Sequence, residues 1–258
     1  MIYDKSAAEK IIIESGHKLL AEGLVSRTWG NISARIGETR FLITPSGRDY
    51  ESLRAEDLVE VDIATLAYEG QIKPSSEKGI HASIYAAKEQ IGFVIHTHQF
   101  YASAVSAAPG ADVPMAEYGL PGTGRLRKNF EKTLSAYPKA REFLLARHGA
   151  VVIGGDAEEA FARAADLESR CKTIYDSMAG SPDAAQERRP WLDDYAQLVW
   201  GREEKETDDP EAAKLITSKN RAAAAFAAGR AKALSFPDAM LQRLVYTLKY
   251  SRLKDAGK

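Results

Sequence analysis

An apolar run, Ile91-Gly-Phe-Val-Ile95, leads straight into His96-Thr97-His98. A short apolar run bounded by turn residues reads as a buried strand. Side chains two apart on a strand point the same way, so His96 and His98 present two imidazoles on one face where a core strand ends. That is half of a divalent metal site. The chain has only five histidines, so the pairing constrains the fold strongly.

The rest of the chain supplies a frame for that strand. Its 258 residues suffice for one large domain or two small ones. A chain of this size buries about 70–75% of its unfolded surface and needs no covalent staples. Ser6-Ala-Ala-Glu9 fits a capping box, and Ile11, Ile12, Leu19 and Leu20 give a helical stripe running out near Gly23. Strands are expected near Ile32–Ile36, Phe41–Thr44, Leu58–Asp62 and Leu66–Tyr68, separated by turn residues such as Gly37, Gly47 and Gly70. Helices are expected from about Glu77 to Glu89, from Leu126 to Tyr137 and from Asp156 to Met178, with a strand at Ala150–Ile153. Residues 181–191 read as a linker and the remainder as mostly helical. This gives a first domain over 1–180 and a helical C-terminal extension over 181–258, packed on that domain or on a neighbouring subunit. Trp191, Trp200, Tyr246 and Tyr250 are the aromatic residues expected to make that packing.

Charge and cysteine use narrow the function. The formal net charge is −1, with acids and bases interspersed, which argues against nucleic acid and for a small-molecule partner. Cys171 is the single cysteine, so no intrachain disulfide forms and a reducing compartment fits. No segment is apolar enough to span a membrane and no leader-like stretch opens the chain, so the expectation is a soluble cytoplasmic protein.

A metal needs a third ligand. His17 lies within the first helix and reads as structural. His81, one turn into the helix after Glu77, reads as ligand, packing residue or solvent-facing. His148 sits before Gly149 at the mouth of the strand Ala150–Ile153, a setting like that of the first pair. Three histidines with open positions match a catalytic zinc site, and manganese, cobalt, nickel or iron also accept imidazoles. Spacing alone leaves three unrelated histidines equally open. A second feature is Pro74-Ser75-Ser76-Glu77, whose serines are natural N-caps and whose helix N-terminus attracts anions. With Gly30-Asn31-Ile-Ser33 and Thr44-Pro-Ser46-Gly47, it makes three small polar turns able to form an anion nest. Each is also an ordinary turn when taken singly.

Taken in order, these elements, with His81 followed by Ile84-Tyr85 and with His148-Gly149, resemble the class II aldolase/adducin family over about residues 6–178. The resemblance implies an α/β fold, a three-layer α/β/α sandwich around a mostly antiparallel central sheet. It implies that His96, His98 and His148 ligate a metal, usually Zn2+ with Mn2+ or Co2+ as alternatives. Glu77 becomes the acid/base beside the metal, and Asn31, Ser46, Gly47, Ser75 and Ser76 become the pocket for a substrate phosphate. It further implies a homotetramer with active sites at subunit interfaces. The expected activity is cleavage of a ketose 1-phosphate, a small-molecule sugar phosphate, into dihydroxyacetone phosphate and an aldehyde. A methylthioribulose-1-phosphate dehydratase-like lyase or a sugar-phosphate 4-epimerase is the alternative on the same scaffold. A non-catalytic adducin-like binding protein is less well supported, because the acid and all three histidines are present.

The C-terminal region from about 181 to 258 departs most from the family's pattern, with no counterpart in it, and two further places depart as well. Family aldolases use a tyrosine from across the interface to protonate the alkoxide. Tyr118 lies near that position, shifted by one residue, where packing is the competing role. Arg125, Arg127 and Lys128 read as surface charge or as contacts for an anionic substrate end.

Overall fold

The computed structural model describes residues 2–25, 29–107 and 112–179, together with four isolated helical positions between 237 and 244. The expected C-terminal extension, with Trp191, Trp200, Tyr246 and Tyr250, otherwise lies outside the described residues.

Helix α1 (Lys5–Ala21) is followed by strands β1 (Asn31–Arg35), β2 (Arg40–Ile43) and β3 (Val59–Asp62). Then come α2 (Lys78–Ala87), β4 (Phe93–Thr97), α3 (Phe100–Val105), β5 (Met115–Ala116) and α4 (Gly124–Ala136). Strands β6 (Glu142–Leu145) and β7 (Gly149–Gly154) precede α5 (Ala157–Ala179). Among the described residues, seven strands form one sheet in the order β3-β2-β1-β4-β7-β6-β5. Every neighbouring pair is antiparallel except β5 with β6. The strand that carries His96, with His98 just past its end, is therefore the middle one, buried at every residue.

Alternation along the strands divides the core in two. Ile32, Ala34, Leu42, Phe93, Ile95, Ala150 and Val152 face one way and pack with α1, α3 and α5. Phe41, Ile43, Val94, Phe143, Leu145, Val151 and Ile153 face the other way and pack with α2 and α4. The fold is thus the expected three-layer α/β/α sandwich around a mostly antiparallel sheet. Cys171, from α5, is fully buried in the first core, and that burial pushes its thiol up to about 12. Among the described residues no helix is long and apolar enough to cross a membrane.

Local differences from the sequence reading have identifiable causes. The cap of α1 is Asp4 rather than Ser6: the Ala7 amide donates to Asp4 Oδ1 at 2.8 Å, placing Ser6 inside the helix. Leu66–Tyr68 is not a strand. Asp62 Oδ1 instead collects the Ala64 amide, the Thr65 amide and the Thr65 hydroxyl at 2.8–3.1 Å, and Leu66 turns with φ of 61°. That side-chain capture of backbone donors closes a turn in place of a ladder.

Candidate metal centre and its acid

His96 lies on β4 with the same sense as Val94, toward the α2/α4 layer. Its Nδ1–H donates to the Ala150 carbonyl at 2.8 Å, which leaves the Nε2 lone pair free to ligate. His98 follows one residue after β4, where its amide donates to the Leu24 carbonyl and its ring lies 5.5 Å from the Trp29 indole. His148 stands in the tight turn between β6 and β7. Arg147 makes that turn in the left-handed region, with φ of 59°, and its amide donates to the Ser106 carbonyl at 2.7 Å.

The three imidazoles converge. His96 Nε2 is 3.1 Å from His98 Nε2 and 3.2 Å from His148 Nε2. Nitrogens bound tetrahedrally at zinc distances lie about 3.3 Å apart, so the spacing suits one ion shared by all three. The residues are 2%, 8% and 3% exposed, which keeps bulk water from competing for their lone pairs. Glu77 adds a carboxylate immediately before α2. Its Oε2 is 3.2 Å from His96 Nε2 and its Oε1 is 3.5 Å from His148 Nε2. Because His96 Nδ1 holds the proton, a carboxylate oxygen there faces a ring lone pair. Such crowding of buried acceptors is favourable only with a cation or proton between them. The donor set therefore fits a divalent metal; three neutral nitrogens do not select which one.

Backbone close approach sets this geometry. A Cβ at Gly149 would lie 2.3 Å from the Thr97 carbonyl oxygen and 3.3 Å from His96 Cε1. Gly30, with φ of 80°, brings its Cα so near the His96 carbonyl that a Cβ would sit 2.5 Å from it. We expect Gly149→Ala to destabilise the fold by about 1–3 kcal/mol, since β4 and β7 pair directly here and cannot part. Denaturant unfolding checks the loss, and metal titration checks the expected weakening at His96. An unchanged midpoint would mean that the hairpin yields.

Around the acid, Asn31 on β1 donates from Nδ2 to Glu77 Oε2 at 3.1 Å. Its Oδ1 meets His81 Nε2 at 2.5 Å. His81 is thus neither solvent-facing nor a member of the triad; it is a fully buried hydrogen-bonding residue. Burial first, then neighbouring His96, pushes its imidazole down to about 3 against the opposing pull of Glu77, so the ring is neutral. The sequence leaves this partner undecided, because nothing on a helix reveals what a distant strand offers. His17 is exposed.

The three polar turns are stitched together. The Ser75 amide donates to the Thr44 carbonyl, the Ser46 amide to the Lys73 carbonyl and the Thr44 amide to the Ile32 carbonyl, each at 3.0 Å. Ser46, Gly47 and Ser76 are exposed, whereas the buried Ser75 hydroxyl accepts from the Glu77 amide at 3.2 Å. Tyr118 is half-buried between β5 and α4, its carbonyl held by Asn129 Nδ2 at 2.9 Å. Arg127 is tied to Glu131 at 2.8 Å and Ser83 at 3.2 Å, while Arg125 and Lys128 are exposed.

The chain is similar in sequence and fold to known proteins. A 5-deoxy-D-ribulose 1-phosphate aldolase from Bacillus thuringiensis serovar kurstaki is 31% identical over 189 residues, 68% of this chain and 86% of that protein. A 3-oxo-tetronate 4-phosphate decarboxylase from Pectobacterium atrosepticum is 30% identical over 182 residues, 64% of this chain and 82% of that protein. A solved L-fuculose 1-phosphate aldolase superposes with a TM-score of 0.62 at 30% identity, covering 69% of this chain and 89% of its own. The family model of the class II aldolase and adducin N-terminal domain matches residues 10–175, a span that includes Glu77 and all three histidines, and the chain belongs to that family.

Proposed function

We propose that the protein is a metal-dependent aldolase that reversibly cleaves a ketose 1-phosphate into dihydroxyacetone phosphate and an aldehyde. The observation that carries this reading is the Glu77 carboxylate, buried and held by Asn31, 3.2 Å and 3.5 Å from two of the three converging nitrogens. A divalent ion on His96, His98 and His148, zinc on this reading, supplies a Lewis acid for the carbonyl and adjacent hydroxyl oxygens. A carboxylate beside that position is placed for general acid/base work on the neighbouring carbon.

In the condensing direction Glu77 takes a proton from the hydroxylated carbon of dihydroxyacetone phosphate. That carbon's electron pair forms the bond to the aldehyde carbon. Tyr118, provided across the interface of a homotetramer, gives its hydroxyl proton to the aldehyde oxygen. Cleavage runs the same transfers in reverse. Asn31, Ser46, Gly47, Ser75 and Ser76 hold the phosphate, and that remote binding orients the reacting end. Their three turns are stitched to one another, and one of them carries Glu77, which supports a single continuous pocket. We place the enzyme in the cytoplasm.

The test is a coupled assay of dihydroxyacetone phosphate release across a panel of ketose 1-phosphates. Release that a chelator abolishes and added metal restores is the expected result, and the ranking of substrates names the aldehyde. The Pectobacterium relative supports a second reading, decarboxylation of a sugar-acid phosphate. Carbon dioxide release from such a substrate, with none of the panel cleaved, would replace the aldolase. A rearranged or dehydrated product with its carbon chain whole would select the epimerase or dehydratase.

A further inference from the structure

Glu77 and His81 stand four residues apart, one helical turn, and so project toward the same part of the sheet. The Asn31 side chain lies between them and meets each with a different end: Nδ2 on Glu77 and Oδ1 on His81. Behind His81, its Nδ1 lies 2.6 Å from Ser33 Oγ, which is 2.8 Å from the Tyr85 hydroxyl. Ser33 and Asn31 are two apart on β1 and share a face. All five side chains are buried, Ser33 and His81 completely.

Donor and acceptor chemistry gives this chain one consistent direction. A carboxylate only accepts, so Asn31 turns its amide nitrogen to Glu77. Asn31 Oδ1 then accepts, so His81 carries its proton on Nε2. His81 Nδ1 therefore accepts from the Ser33 hydroxyl, whose oxygen lies 2.8 Å from a Tyr85 hydroxyl that donates to the Ser33 carbonyl at 3.0 Å. An asparagine alone can flip, presenting Oδ1 to Glu77 and repelling it. The neutral, Nε2-protonated His81 forbids that flip.

We propose that His81 is a positioning residue for the acid/base: it locks the Asn31 amide so that Nδ2 holds Glu77 against the metal histidines. The Glu77 carboxylate fixes the tautomer through Asn31, and the Ser33 hydroxyl gives the bare Nδ1 a donor. The proposal rests on the assignment of Glu77 as the acid/base. It accounts for a polar row between β1 and α2 where an apolar packing would be simpler, since buried polar groups are favourable only when every member is satisfied. It also gives Asn31 a role besides phosphate binding: one of its two amide hydrogens serves Glu77.

The experiment uses the full chain loaded with metal. Nitrogen NMR of the His81 ring should show Nε2 protonated and Nδ1 bare. His81→Leu should lower kcat about 10²-fold, as expected of a misplaced catalytic group, with KM within about threefold. Metal stoichiometry should remain that of the parent. His81→Gln, whose amide N–H reaches about where Nε2 stands, should recover kcat to within about tenfold of the parent. An Nδ1-protonated His81, or a Leu variant with parental kcat, overturns the proposal. If His81→Leu does not fold, the Gln variant and the ring tautomer decide it. Should the parent release no dihydroxyacetone phosphate, the aldolase reading fails, while the tautomer and the turnover of whichever panel product does form still judge His81.

Discussion

Replacing His96 by alanine is expected to remove the metal and reduce turnover to background. His96 is the hub of the cluster: its Nε2 lies within 3.2 Å of His98, His148 and Glu77 alike. Deleting it leaves two imidazoles with no ring between them and opens a void against the Ala150 carbonyl that its Nδ1 bonded. Changes to groups that merely orient metal ligands cost about 10–100-fold in affinity, and loss of a ligand should exceed that. Because a metal that binds only the folded chain also stabilises it, chelation should lower the melting temperature of the parent but not of His96→Ala. Metal content by elemental analysis and melting with and without chelator check both parts. A variant that keeps stoichiometric metal would place the ion elsewhere.

The pairing of His96 with His98 is legible in the sequence because strands have a period of two, whereas the three-histidine set comes from the family resemblance. That period puts His96 and His98 on one side of a core strand, while His148, though it precedes another strand, is equally open to an unrelated role until the resemblance is taken into account. What is not legible is how side chains on separate elements find each other. His81 looks like ligand, packing or surface residue, and only the fold brings α2 over β1 so that Asn31 bridges it to Glu77. Short elements are also hidden: the two residues of β5 and the six of α3 are too few to establish a period. At Leu66–Tyr68 the sequence offers strand-like apolar residues, but Asp62 captures the local amides first. The family resemblance supplies the layer architecture, and the partition of buried residues between the two faces of the sheet agrees with it.

Glu77→Gln separates binding of the metal from its use. Glutamine keeps an oxygen for the Asn31 Nδ2 donor and nearly the same volume, so the loop before α2 should hold its shape. The three imidazoles remain, and with them a sufficient ligand set, so metal content should match the parent. An amide does not exchange a proton near neutral pH, so the transfer assigned to the carboxylate is lost. General acid/base catalysis contributes about 10²–10⁴-fold, and kcat should fall by that factor with little change in KM. Steady-state kinetics and metal analysis on the same preparation measure the two effects together. Near-parental turnover would remove Glu77 from the proton transfers. Loss of metal together with turnover would instead make the carboxylate a fourth ligand in the resting site, consistent with its closeness to His96 and His148. In that case substrate must displace it before any proton can move.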